Sequence, residues 1–190
     1  ASRWDKHGSP LRPSQLDAAH YQAAVDDLAR RRAIDRAVIL GVTPEIYRLT
    51  WPEDTTVLAI DRSRDMIERV WPGPRERALL GEWTEPLLEA GSVQIAICDG
   101  GFHLLDYPVG QTALVAQLAR MLDRGGRAVF RLFLPPSDAM TPEAVIAALA
   151  AGQIPNMNVL KLRLGHALMR SPEDGVALDA VWTFLHDHIG

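Results

Sequence analysis

Val38-Ile39-Leu40-Gly41-Val42-Thr43-Pro44-Glu45, followed by Val57-Leu58-Ala59-Ile60-Asp61-Arg62-Ser63, decides how this chain folds. Each stretch is a short apolar, β-branched run that stops at a turn residue, Gly41 or Asp61, and passes into a helix start. Runs without polar alternation are strands buried on both faces, as in a parallel sheet covered by helices. The pattern recurs outward from this pair. Ala78-Leu79-Leu80 closes at Gly81, and Val93-Gln94-Ile95-Ala96-Ile97 closes at Cys98-Asp99-Gly100. A fifth run, 128–134, follows the turn Arg124-Gly125-Gly126 and stops at Pro135-Pro136. Strands alternating with helical patterns predict βαβ units, hence a doubly wound α/β fold with a mostly parallel sheet and helices on both faces.

The intervening segments agree. Residues 14–32 read as a helix with Leu16, Ala19, Ala23 and Leu28 inward, entered from the loop 8–13. Ser63 caps a helix carrying Met66, Ile67 and Val70. In 111–122 the apolar positions Leu114, Val115, Leu118, Met121 and Leu122 share a helix face. Thr141-Pro142-Glu143 starts another helix, a cap followed by proline at the first position, which ends near Gly152. Two further helices, 156–170 and 176–189, are separated by Ser171-Pro172-Glu173-Asp174-Gly175. No strand hairpin follows the fifth run.

Composition bounds the function. The chain has 190 residues, 47% hydrophobic and 23% charged, as a folded domain with a real core requires. A formal net charge of −4 argues against nucleic acid held by charge alone. The single cysteine, Cys98, forms neither an internal disulfide nor a cysteine-based metal cage and reads as a small buried residue. No apolar run is long enough for a membrane-spanning helix, and the first residues lack the apolar core of a signal peptide. The expectation is one cytoplasmic domain over 1–190. Residues 1–33 form the lead-in and first helix, 34–135 the core, and 136–190 the C-terminal helices.

In an open parallel sheet, ligands bind beyond the carboxyl ends of the strands, where the strand order reverses. The residues just after each strand are therefore the candidates. Gly41 permits a tight turn and a close backbone approach, whether to a ligand or only to the next helix. Thr43 caps the helix begun by Pro44 and leaves N–H groups for a carboxylate or phosphate. Asp61, about 20 residues past Gly41, suits the two hydroxyls of a ribose, or alternatively the start of the Ser63 helix. Glu82 can accept from an adenine amino group and Trp83 can pack on its face, although a tryptophan is more often core. Asp99 and Gly100 reach the same sheet edge.

Together these motifs resemble the class I S-adenosylmethionine-dependent methyltransferases, from 34 to about 135. They are Val38 to Glu45, Val57 to Ile67, Gly81-Glu82-Trp83, Ile97-Cys98-Asp99-Gly100 and Leu118 to Gly126, in that order. The resemblance implies a Rossmann-like sheet and S-adenosylmethionine as cofactor. It implies that Gly41, Val42 and Thr43 hold the methionine part, with Asp61 on the ribose, Met66 near the adenine and Arg62 also among the cofactor-binding residues. It further implies Glu82 and Trp83 at the adenine edge, with Asp99 and Gly100 near the methionine end. Thr43 and Glu45 stand where the family's second and third loop glycines would be, and Glu45 is placed to meet the methionine ammonium instead. Glu82 replaces the more common aspartate. Family members finish with an antiparallel hairpin that this chain lacks, so the chain reads either as a fragment or as a protein that closes its sheet differently. Leu160, Leu162, Leu164 and Leu168, then Val181, Trp182, Leu185 and Ile189, are expected to cover the open edge or to pair two chains as a homodimer.

Methyl transfer is an in-line displacement at an activated sulfonium, so positioning dominates and a general base is needed only for a protonated nucleophile. His103, His7 and His20 are candidates without an assigned role, and the catalytic residue is left unnamed. Arg12, between Pro10 and Pro13, suits either a lid over the cofactor or an exposed lead-in. The Arg30-Arg31-Arg32 run complements a helix end rather than nucleic acid. His186 and His188 point apart on a helix, so no metal is expected. The acceptor is expected to be a small molecule. Two rivals remain: a non-catalytic cofactor-binding or regulatory module of the same fold, and a nicotinamide dehydrogenase, which would want Gly-x-Gly-x-x-Gly.

Overall fold

The structure is a computed structural model that describes Trp4 and residues 8–134, 137–138, 140–171 and 173–189. His7, Pro135-Pro136 and Pro172 lie outside the described residues. The chain divides into two compact units, Ala1–Leu132 and Phe133–Gly190.

The first unit is built on five parallel strands: β1 (Arg36–Leu40), β2 (Thr56–Asp61), β3 (Ala78–Leu80), β4 (Val93–Asp99) and β5 (Leu122–Arg131). Their order is β3-β2-β1-β4-β5, so the order reverses between β1 and β4. The helices of this unit are α1 (Gln15–Ala29), α2 (Pro44–Tyr47), α3 (Arg64–Arg69) and α4 (Val109–Met121). The period-two geometry of a strand sends Ala37 and Ile39 of β1 to one face and Val38 and Leu40 to the other. On the first face Tyr21, Val25 and Leu28 of α1 pack with Ile46 of α2 and Ile67 of α3. On the second, Leu114, Leu118 and Met121 of α4 cover Val38, Leu40, Ala96 and Cys98. Each such aliphatic side chain removed from water stabilises the fold by about 1.5–3 kcal/mol, which is why both faces must be covered.

Three expectations are corrected here. Leu16, Ala19 and Ala23 of α1 face outward, Leu16 being 67% exposed. The buried stripe is Tyr21, Val25 and Leu28, a face carrying larger side chains than the alanines offer. On α4, Val115 is likewise exposed. Finally, the fifth strand begins at Leu122 and ends at Arg131 rather than running from 128 to 134. Arg124-Gly125-Gly126 is an irregularity within it: the register passes from Val93↔Leu122 to Ile95↔Arg127, with Gly125 at φ +86°. Buried Gln94 holds this junction, accepting from the N–H groups of Asp35 (3.1 Å) and Arg36 (2.8 Å) and donating to Asp123 (3.0 Å).

Among the described residues no strand pairs with the outer edge of β5. The second unit contains α5 (Pro142–Ala150), α6 (Met157–Leu168) and α7 (Leu178–Ile189). Thr141 caps α5 by accepting from Ala144 N–H, and Asn156 caps α6 by accepting from Asn158 and Val159. Leu160, Leu164, Val181 and Leu185 are used inside this unit, packing with Val145, Ala148 and Ile154. Trp182 and Ile189 remain exposed.

Candidate cofactor site

The carboxyl ends of β1, β2 and β4 meet at the reversal of strand order, the place where open α/β sheets bind ligands. Gly41 leaves β1 at φ +94°, a conformation that only glycine adopts without strain, and donates its N–H to Ile60 O at 2.8 Å. The next residue, Val42, donates its N–H to Asp61 Oδ2 at 2.9 Å. Ser63 donates to Asp61 Oδ1 at 2.8 Å. One carboxylate thus fastens the loop after β1 to the turn after β2. A carboxylate offers roughly four lone-pair sites, so each Asp61 oxygen keeps acceptor capacity after these bonds.

Trp83 forms the wall between the two strand ends. Its indole N–H donates to Ile60 O at 2.8 Å. A Cβ added to Gly41 would stand 3.4 Å from Trp83 Cζ2, and one added to Gly101 only 2.5 Å from Cη2. Gly41 and Gly101 therefore leave room for the indole itself, and Trp83 packs into the core face beneath α4.

Glu45 occupies the first turn of α2, and Arg12 reaches it from the segment ahead of α1. Arg12 Nε donates to Glu45 Oε1 at 2.7 Å, and Arg12 Nη2 donates to the same oxygen. Glu45 Oε2 is buried and has no hydrogen-bond partner among the described residues. An unmet buried acceptor costs about 1–3 kcal/mol, more when charged, and it is the kind of atom that a cationic donor completes. Thr43 is buried at the N-cap of α2, but its side chain makes no capping bond. The helix is a single turn, Pro44–Tyr47. The helix begins at Pro44 with Thr43 at its N-cap position, as the sequence suggests, but without the side-chain capping bond, and it ends at Tyr47.

At the other wall, Asp99 ends β4 opposite Arg131, the last residue of β5. Arg131 Nη2 donates to Asp99 Oδ2 at 2.8 Å and Arg131 Nε to Oδ1, while Tyr21 O–H donates to Oδ1. The Asp99 side chain is 3% exposed. Burial and the Asp99 carboxylate both push the Tyr21 phenol above its ordinary pKa, so it is held as a proton donor rather than a base. Burial, the largest single influence, opposes the charge on Arg131, but the hydrogen bond to Asp99 together with the charges of Asp99, Asp17 and Tyr21 outweighs it and raises the guanidinium further. Burial also pushes the Cys98 thiol up to about 11, which keeps it protonated. Gly100 follows at φ +62° and donates to Arg131 O at 3.2 Å.

The remaining candidates are spread around this edge. Arg62 and Glu82 are exposed, and Met66 is half-buried against the α1-side core. His103 is exposed in the single 3-10 turn Phe102–Leu104, and His20 is exposed on α1. The Arg30-Arg31-Arg32 run is spent on ion pairs: Arg30 and Arg31 with Asp27, Arg32 with Asp123. Sequence reasoning missed Tyr21 and Arg131. A basic residue inside the apolar run 128–134 was the available signal for Arg131; nothing distinguished Tyr21 from ordinary core.

The residues present fit S-adenosylmethionine at two points that the fold leaves incomplete. One is the acceptor capacity of Asp61 for a diol; the other is the unmet oxygen of Glu45 for an ammonium. No helix among the described residues is long and apolar enough to cross a membrane.

No family model and no curated protein matches the chain. Solved structures do match. The CcbJ methyltransferase from Streptomyces caelestis is 19% identical with a TM-score of 0.52, covering 68% of this chain and 54% of that one. A protein described as a methyltransferase from an antibiotic biosynthesis pathway of Anabaena variabilis is 14% identical, also with a TM-score of 0.52. The match covers 90% of this chain and 60% of that one. The glycopeptide N-methyltransferase MtfA, solved with S-adenosylmethionine, overlays less well: 22% identity, TM-score 0.43, 62% of this chain and 51% of that one. The chain spans between half and three-fifths of the length of these structures. Its five parallel strands and flanking helices have the fold of the class I S-adenosylmethionine-dependent methyltransferases.

Proposed function

We propose that this chain binds S-adenosylmethionine at the carboxyl edge of its sheet and directs the methyl group to a small-molecule acceptor. The observation that carries the reading is the Asp61 carboxylate, fixed by Val42 N–H and Ser63 N–H at the strand-order reversal with acceptor capacity to spare. Dinucleotide-type folds use an acidic residue here for ribose hydroxyls. Gly41, Val42 and Thr43 would line the methionine part. Asp61 and Arg62 would stand at the ribose, Met66, Glu82 and Trp83 at the adenine, and Gly100 at the methionine end. The cofactor supplies a sulfonium methyl whose positive charge already activates the leaving group. The chain's own contribution is then to bind, orient and exclude water. Asp99 is held by Arg131 and Tyr21 at the end of β4, directly before Gly100.

Incubation with S-adenosylmethionine carrying a labelled methyl group, across a panel of small amines, phenols and carboxylates, tests this reading. Label transfer to at least one class is the expected result. The commitment of Asp99 to Arg131 and Tyr21 favours a second reading, a cofactor-binding module without turnover, and binding without transfer to any class supports that one.

A further inference from the structure

We propose that residues 8–14 form a strap closed over the methionine end of the cofactor site, and that the Arg12–Glu45 ion pair is its latch; the inference rests on the proposed cofactor site.

The strap is fastened on both sides of that end. Arg12 Nε donates to Glu45 Oε1 at 2.7 Å, in the first turn of α2 after β1. Arg131 Nη1, at the end of β5, donates to Pro10 O at 2.9 Å. In the sheet β4 lies between β1 and β5. A segment tied to both neighbours therefore passes the carboxyl end of β4, where Asp99 and Gly100 stand. Arg12 also gathers the chain ahead of it. Its Nη1 donates to Trp4 O at 3.4 Å, and the guanidinium stands 5.3 Å from the Trp4 ring centroid. At the other end of the strap, the Ser14–Asp17 capping box starts α1, whose Tyr21 is fixed to Asp99.

No residue from 8 to 16 is part of the buried core, and the first core residue of α1 is Tyr21. A segment held by polar bonds at its edges opens without disturbing the core, as lids do. Pro10 and Pro13 restrict the open states, which lowers the entropy lost on each closure. Both ends of the latch belong to the chain. Breaking it therefore raises the open fraction with or without ligand, so association and dissociation quicken together while Kd holds.

Surface plasmon resonance of S-adenosylhomocysteine on the full chain tests the latch. This ligand has no net charge, so salt acts little on its own encounter. Arg12→Gln is expected to raise the association and dissociation rates each about fivefold or more, the scale of one partly exposed ion pair, with Kd within about threefold. Arg12→Lys falls between. Raising salt from about 0.05 M to about 0.5 M is expected to quicken both rates in the native chain and to leave those of Arg12→Gln within about twofold. The salt arm on the native chain stands even where a variant fails to fold. Faster dissociation with association unchanged would make Arg12 part of the binding wall and overturn the strap. Rates that neither substitution nor salt moves overturn it too, and each of these outcomes leaves the cofactor reading standing. A native chain that does not bind S-adenosylhomocysteine overturns both.

Discussion

Asp99 and Arg131 are register partners at the last pair of β4 and β5, and their side chains form a two-point ion pair in which both are largely buried. Tyr21 adds a third bond from α1. The pair therefore joins two strand ends and a helix at the edge where the cofactor is proposed to bind.

Removing one member of a buried pair leaves the other charged and unmatched, at a cost of about 3–5 kcal/mol. Arg131→Leu is expected to lose stability on that scale in a urea melt. A loss under ~1 kcal/mol would show that the pair is not the fastening described.

The Tyr21 phenol gives a pH signature. Its folded pKa is raised above the ordinary value near 10, chiefly by burial and then by Asp99. The unfolded chain therefore releases this proton at a pH where the folded chain retains it. The contribution is fully present below about pH 10 and is lost as pH rises beyond, by at most ~1.4 kcal/mol per pH unit. Melts of native chain and Tyr21→Phe at pH 8 and pH 11 check this: the native chain should lose more. Identical losses would contradict it.

Cys98 is buried, with its thiol raised to about 11 by burial. Thiolate is the reactive form. Iodoacetamide at pH 8 should leave the folded chain unmodified and alkylate it in denaturant, as read by mass spectrometry.

The contact of Gly101 with Trp83 sets a steric limit. A methyl group at 101 would overlap the indole at 2.5 Å, and a ring cannot yield as a flexible chain does. Gly101→Ala should cost about 1–3 kcal/mol, and Trp83→Leu in the same chain should recover part of it. Additive losses would place the strain elsewhere.

The strands and their order of appearance were legible because apolar runs with turn residues at their ends are a local signal, and four of the five begin and end within two residues of their expected positions. The fifth was displaced because its first residues, Asp123-Arg124-Gly125-Gly126, carry no strand pattern. They are held by Gln94 and Arg32 from elsewhere in the chain. The inward face of α1 was misread for a related reason: small alanines mark either face, and only tertiary packing selects Tyr21 and Val25. Of the site, Gly41 and Asp61 could be located by spacing. That Thr43 makes no cap and that Asp99 is spoken for by Arg131 depended on contacts between distant residues.

Asp61 is proposed to hold the ribose of S-adenosylmethionine. Its most direct test is a calorimetric titration of S-adenosylhomocysteine, with NAD as comparator, against the native chain and Asp61→Ala. Binding of S-adenosylhomocysteine but not NAD is expected, with a loss of ~2–4 kcal/mol in the folded variant for two bonds to a charged acceptor. Unchanged affinity in Asp61→Ala, or preference for NAD, would contradict it.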